Sequence, residues 1–308
     1  MPELNYLRND RKWPGSRDYI THVDFKLDHG RAGMELYDIF PGVQLMVSEF
    51  FAESCFRTGE KENAIGIHHC LRGRFECAFD SRSFLYMGEG DISINSQMHP
   101  PISSSFPLNY FYGSTIILYP EQTKGVPWLE AFGISTEAIT EKFSLNSRCP
   151  VFRRNEAVEH VYGELYACLS DPELPFLRLK ILELLYHVQS RQTVLEENKE
   201  YLPGNVVSRI KHVREHLIEN PERRIGLREL AKEHGLSLTQ LKDGFRQIYG
   251  QSPYAYLRDY KMHLAAQLLR DTDRKVSEIA AELGYQNPSK FSEAFQAVIG
   301  QNPRAYRK

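Results

Sequence analysis

The stretch LRELAKEHGLSLTQLKDGFRQIYGQSP (Leu227 to Pro253) is answered, 49 to 50 residues later, by VSEIAAELGYQNPSKFSEAFQAVIGQNP (Val276 to Pro303). Leu230-Ala231 corresponds to Ile279-Ala280, Gly235 to Gly284, Leu241 and Phe245 to Phe291 and Phe295, and Gly250-Gln251-x-Pro253 to Gly300-Gln301-x-Pro303. An internal repeat of this length signals two copies of one supersecondary unit. In each copy, two short apolar-periodic segments flank a glycine able to take the positive φ that a sharp turn demands, the make-up of a helix-turn-helix. In the second copy, Ile279, Ala280 and Leu283 form one stripe, and Phe291, Phe295 and Val298 the other, between a Pro288-Ser289 start and a Gly300 stop.

The second helix of each copy then turns a polar face outward. That face carries Thr239, Gln240, Lys242, Asp243 and Arg246 in the first copy, and Ser289, Lys290, Ser292, Glu293 and Gln296 in the second. Lys242, Arg246 and Lys290 suit phosphates or guanines, while Thr239, Gln240, Ser289 and Ser292 suit base edges or backbone. Asp243 and Glu293 either accept from cytosine or form a salt bridge with a neighbouring Arg. Between the copies, Ser252-Pro253 opens a helix whose apolar positions include Leu257, Met262, Ala265, Leu268 and Leu269. About seventeen residues make a rod of roughly 25 Å. Two units at its ends can enter successive major grooves about 34 Å apart.

This block resembles the DNA-binding domain of the AraC/XylS family of bacterial transcription regulators. The resemblance rests on the paired units, Lys261-x-x-x-Ala265-x-x-Leu268-Leu269, the Ile279-Ala280-x-x-x-Gly284-Tyr285 turn, and Phe291-x-x-x-Phe295 followed by Gly300-x-x-Pro303-x-x-Tyr306-Arg307. Lys261 stands where the family usually has Arg, and acidic Asp243 and Glu293 occupy positions often basic or polar in relatives, so base preference does not carry over. Asn287-Pro288-Ser289-Lys290-Phe291-Ser292 is similar to the branch that includes the pyochelin regulator, a siderophore sensor. The resemblance implies an activator of transcription that binds double-stranded promoter DNA, meets RNA polymerase and forms a homodimer. It also implies a small-molecule effector, a siderophore on the branch likeness, held in an N-terminal β-barrel.

Charge is divided in the same way. Residues 205–308 hold 18 Lys and Arg against 12 Asp and Glu, leaving 20 against 28 in residues 1–204, although the whole chain is only −2. The local field governs attraction to phosphate, so the C-terminal part suits nucleic acid and the front a different partner. With 308 residues, 42% hydrophobic and 25% charged, the chain suffices for two ordinary domains. Five cysteines without a C-x-x-C pair argue against a disulfide framework or structural zinc, and no cofactor is called for. The polar start and the lack of an apolar run near ~20 residues predict a cytoplasmic protein with no membrane partner.

The front half reads as α+β with the rest of the chain: a cupin-like antiparallel β-barrel, then a helical dimerisation hairpin, then the all-α tandem helix-turn-helix. The expected boundaries are 1–150 for the effector-sensing β domain, 151–198 for the helical segment, 199–205 for the linker and 206–308 for the DNA-binding domain. Short aromatic and β-branched segments punctuated by Gly predict the β domain. Ile65–Leu71 and Arg74–Phe79 read as a hairpin turning at Arg72-Gly73, with Phe75, Cys77 and Phe79 on one face and Arg74 and Glu76 on the other. Gly88-Glu89-Gly90-Asp91 resembles the Gly-Asp corner of cupin-like barrels.

His68-His69 and His99 raise a metal-site reading, but adjacent strand residues point to opposite faces and the pattern lacks His-x-His, so no metal is assigned. His69, Trp13, Arg57 and Arg72 are the candidate effector contacts; a core histidine and solvated arginines are the plainer readings. Cys70 and Cys77 read as a redox pair or as small buried hydrophobes. Two helices are expected over 155–170 and 174–198. On the second, Leu177, Ile181, Leu184, Leu185 and Val188 form a stripe for a dimer interface or for packing within the domain. Two other functions remain open at this level: a cupin-type metalloenzyme with an accessory DNA-binding domain, and a dimeric regulator without a ligand.

Overall fold

The computed structural model describes residues 18–27, 30–54, 63–78, 83–96, 101–124, 126–144, 149–190, 197–198, 202–223 and 225–307. They divide into two compact units, Met1–Tyr201 and Leu202–Lys308. Trp13, Arg57, His99 and Phe79 lie outside the described residues.

The first unit opens with β1 (Ile20–Leu27), β2 (Gly30–Phe40), β3 (Val43–Ala52) and β4 (Ile65–Gly73). It continues through β5 (Phe75–Ala78), β6 (Ser83–Met87), β7 (Ile92–Ser96), β8 (Ser103–Ser105) and β9 (Phe111–Leu118). Three short helices follow, α1 (Pro120–Thr123), α2 (Pro127–Ala131) and α3 (Thr136–Ser144), then β10 (Val151–Phe152), α4 (Glu156–Cys168), α5 (Leu174–Gln189) and β11 (Glu197–Asn198). The larger sheet has the order β1-β2-β3-β9-β4-β7-β10-β11, and β6-β5-β8 run side by side in a second sheet. The described strands thus make two open sheets; the single closed cupin-like barrel expected from the sequence is not seen among them.

The expected β4–β5 hairpin does not form. β4 pairs with β7 and β9, and β5 pairs with β6 and β8. Gly73 has φ +84°, and a Cβ there would stand 2.2 Å from the Tyr110 carbonyl oxygen, so the bend carries the chain from one sheet to the other against β9. A glycine bend of this kind reads like a hairpin turn in sequence. Glu76 is buried: Tyr86 donates its hydroxyl hydrogen to one carboxylate oxygen and Ser105 Oγ donates to the other at 2.7 Å. Cys70 and Cys77 are thiols buried in one apolar cluster with Leu85 and Met87, and burial pushes the Cys70 thiol up. This is the environment of an inert small hydrophobe rather than of a reactive thiolate.

One face of the larger sheet is covered by helices. Leu45, Ile65, Ile67 and Ile116 from the strands share a core with Val161 and Leu165 of α4 and with Leu177, Ile181, Leu184, Leu185 and Val188 of α5. The five side chains expected at a dimer interface are therefore spent inside their own unit, each 2% exposed or less. A helical stripe reports that something is covered and leaves open what covers it. The outward face of α5 instead presents Leu179 and Tyr186, 59% and 48% exposed.

From Gly204 onward the regular elements of the second unit are helices: α6 (Gly204–Glu219), α7 (Leu227–Glu233), α8 (Leu238–Tyr249), α9 (Pro253–Asp271), α10 (Val276–Glu282), α11 (Pro288–Ile299) and α12 (Pro303–Tyr306). None of the described helices is long and apolar enough to cross a membrane.

Candidate nucleic-acid interface

The repeat in the sequence reappears as a repeat of helix ends. Gly235 and Gly284 take φ +64° and +81° at the turns after α7 and α10. Gly250 and Gly300, at φ 80° and 83°, cap the C-termini of α8 and α11 in the left-handed conformation. Two residues on, Ser252 Oγ accepts from Ala255 N at 3.3 Å and Asn302 Oδ1 from Arg304 N at 3.0 Å, with Pro253 and Pro303 in the first turn of α9 and α12. The Gly-Gln-x-Pro motif is thus a stop and a restart: αL cap, polar N-cap, then a residue whose missing N–H costs nothing there.

Packing fixes which face of each second helix looks out. Leu241, Phe245 and Ile248 of α8 are fully buried, and Gly244 lets α8 approach α6 so closely that a Cβ would lie 2.2 Å from Ile210 Cδ1. In the second copy, Phe291 and Phe295 of α11 are buried with Met262, Ala265 and Leu269 of α9 and with Ile279 and Ala280 of α10. Tyr306 of α12 closes that core edge-on against Phe295, with ring centroids 5.6 Å apart. Lys261, in place of the expected Arg, extends its Nζ over the Tyr285 ring at 5.6 Å, a cation–π contact from α9 to the second turn.

With the apolar stripes consumed, Thr239, Gln240, Lys242, Asp243 and Arg246 are exposed on α8, and Ser289, Lys290 and Glu293 are exposed on α11 beside a half-buried Ser292. Three of these side chains have structural partners that spacing alone did not reveal. Gln240 belongs to a capping box, accepting from Ser237 N at 2.9 Å while Ser237 Oγ accepts from Gln240 N at 3.1 Å. Lys290 Nζ donates to Glu293 Oε2 at 2.8 Å, and this bond holds the ammonium above its ordinary value. Glu293 thus pairs with Lys290, in place of the neighbouring Arg expected as the alternative to a cytosine contact. The first turn of α11 is held by Asn287, whose Oδ1 accepts from Ser289 N at 2.8 Å and Lys290 N at 3.4 Å.

A helix-turn-helix family model matches residues 230–308. An AraC-like transcription regulator of Streptomyces antibioticus is 38% identical over 80 residues, 26% of this chain and 26% of that protein. The C-terminal unit is an AraC-type helix-turn-helix domain. AlkR of Acinetobacter baylyi, an HTH-type transcriptional regulator, is 32% identical to this chain over 88 residues, 29% of each chain. These matches span less than a third of either relative's length. The C-terminal domain of AraT from Geobacillus stearothermophilus, a response regulator, aligns with 28% identity over 32% of this chain and 83% of that one, at a TM-score of 0.31.

The candidate effector contacts are placed differently from one another. His69 is 1% exposed beneath α4: Nε2 lies 2.8 Å from Glu159 Oε1, Nδ1 lies 3.1 Å from the Tyr166 hydroxyl, and the ring stacks on Tyr162 at 3.8 Å. Both ring nitrogens are engaged, so His69 fastens β4 to α4 and offers no atom to a ligand. His68 points the other way, between Thr115 Oγ1 at 2.9 Å and Asn95 Oδ1 at 2.8 Å. Arg72 is exposed at the end of β4.

Proposed function

We propose that this protein is a transcription regulator that binds double-stranded promoter DNA sequence-specifically through the outer faces of α8 and α11. The observation that carries the reading is the repetition itself. Two helix-turn-helix units, each presenting a polar second helix, are built on a shared α9, in the part of the chain with excess positive charge. The AraC-type domain and the relatives that bear the name of transcription regulators support it. Lys242 and Arg246 supply phosphate or guanine contacts; Thr239, Ser289 and Ser292 supply contacts to bases or backbone.

In this reading the first unit is the sensing part: a small-molecule effector bound there alters which half-sites are occupied together and how RNA polymerase is engaged. The outward face of α5, with Leu179 and Tyr186, is the surface a second copy would cover in a homodimer.

The test is selection of genomic fragments by the full-length protein, followed by footprinting. Two protected clusters about one helical turn, roughly 10 base pairs, apart are expected. No preference over random duplex would refute sequence-specific reading, and a single cluster would refute the tandem mode. Thermal unfolding of the full chain against ferric siderophores, sugars, bile-type amphiphiles and aromatic acids addresses the sensor: a specific ligand at a hundredfold excess over Kd adds about 2.7 kcal/mol.

A further inference from the structure

We propose that the AraC-type domain also binds a divalent transition-metal ion, zinc by its donor chemistry, on His216, Glu233 and His234. His216 lies in the last turn of α6, Glu233 is the last residue of α7, and His234 is the C-cap of α7. One ligand atom from each lies within 4.8 Å of the other two. Nδ1 of His216 is 3.1 Å from Nε2 of His234 and 3.7 Å from Oε2 of Glu233. A zinc ion held tetrahedrally at about 2.0–2.1 Å from each donor sets those donors roughly 3.4 Å apart. The two separations from His216 Nδ1 thus bracket the edge of the required tetrahedron, the third lies within 4.8 Å, and side-chain rotations complete it.

Donor type agrees with spacing. Two imidazoles and one carboxylate form a zinc-binding set that leaves a fourth position for water. The His216 and Glu233 side chains are 20% and 35% exposed, so an ion can enter and that position stays wet. The frame is anchored on both sides: Gly235 N donates to Lys232 O at 3.1 Å behind His234, and Arg209 Nη1 donates to Gly235 O at 2.5 Å.

Arg223 shows what the site does without metal. Its Nη1 lies 3.1 Å from His216 Nε2 and its Nη2 3.2 Å from Glu233 Oε1. A guanidinium only donates, so His216 Nε2 accepts and its Nδ1 carries the hydrogen, directed at His234 Nε2. Metal at Nδ1 requires the other tautomer: the proton leaves Nδ1 and Nε2 takes one up through solvent, with no net change in charge on the ring. Arg223 must then release His216 while remaining free to keep Glu233 Oε1, a carboxylate bridge of the kind that orients metal ligands. The guanidinium is a stand-in cation, and zinc displaces one of its two contacts.

The position gives the ion a consequence. His234 leads through Gly235 directly into the capped start of α8, so zinc would clamp α6 to the turn that aims one outer helix.

The experiment is isothermal titration of untagged, full-length, EDTA-treated protein with zinc chloride, with cobalt(II) as a spectroscopic probe. One ion per chain is expected, with the visible absorption of tetrahedral cobalt and a higher unfolding midpoint with zinc than with EDTA. His216→Ala and His234→Ala should each weaken binding at least about tenfold. If either fails to fold, Glu233→Gln, which alters a side chain at the surface, should show the same loss. No saturable binding, or an isotherm unchanged by these substitutions, overturns the proposal.

Discussion

Lys290 and Glu293 close a 2.8 Å ion pair on the outward face of α11, both side chains more than 60% exposed. On a surface proposed to meet phosphate, this pair sets how much of the lysine's charge DNA can use. Glu293→Gln should tighten binding to any duplex and leave the salt slope as steep or steeper. Lys290→Ala should weaken binding and reduce the slope of log K against log salt by about 0.9. Fluorescence anisotropy across a potassium chloride series reads both; an unchanged slope in Lys290→Ala removes this residue from the interface.

The two left-handed glycines of the second repeat should differ in cost. Gly300→Ala meets nothing within 4 Å, so only the backbone conformation is penalised, by about 1–2 kcal/mol. Gly284→Ala adds a Cβ 2.9 Å from the Glu222 carbonyl oxygen and 3.0 Å from Glu222 Cα, backbone atoms that cannot swing aside. Chemical denaturation should rank Gly284→Ala clearly below Gly300→Ala; equal losses would contradict the close approach at Glu222.

Removing the cap at the start of α8 tests the capping box. Ser237→Ala should cost about 1 kcal/mol in the second unit and free the Gln240 side chain. Denaturation followed by helical circular dichroism measures it, and a loss near zero would mean the box contributes nothing.

The first unit should weaken as pH falls through two windows. Burial holds His68 below the ordinary histidine value, so the unfolded chain takes up a proton more readily than the fold. That histidine therefore begins to cost stability as pH falls below about 6.5. Glu159 is held below the ordinary carboxylate value, first by its bond with His69. Its contribution is present above about 4.3 and is lost as pH falls through the lower, folded value. Trp128 lies in α2 of this unit and the only other tryptophan in the sequence is Trp13, so neither falls within Leu202–Lys308 and the Trp128 fluorescence follows the first unit in urea titrations. His68→Gln should flatten the decline between pH 7 and 5 and leave the lower window in place.

The second unit was legible because its determinants are local. Glycine stops, Ser and Asn caps and proline starts announce themselves within a few residues, and the i, i+4 phenylalanines name the buried face. The first unit resisted wherever the deciding partner is distant in sequence. Gly73 reads as a hairpin turn until β9 is seen against it. Glu76 reads only as sharing a strand face with Arg74, and its burial depends on Tyr86 and Ser105, which bond it from other strands. Leu177 and Ile181 announce a covered stripe but not that the cover is their own sheet. His216 and His234 are 18 residues apart with no motif between them, and only the packing of α6 on α7 and α8 brings their rings together.

α9 is 19 residues long and belongs to both helix-turn-helix cores. Tyr256 meets Phe245 edge-on and lies tilted against Tyr249 of the first, and Met262, Ala265 and Leu269 build the second. One inserted residue between those groups would rotate one core against the other by about 100° and shift it by about 1.5 Å. On the proposed DNA reading, descendants of this chain would change base preference one surface residue at a time, but the distance between recognised bases only by steps near a whole turn. Spacing is therefore the inherited constant, and wording the variable.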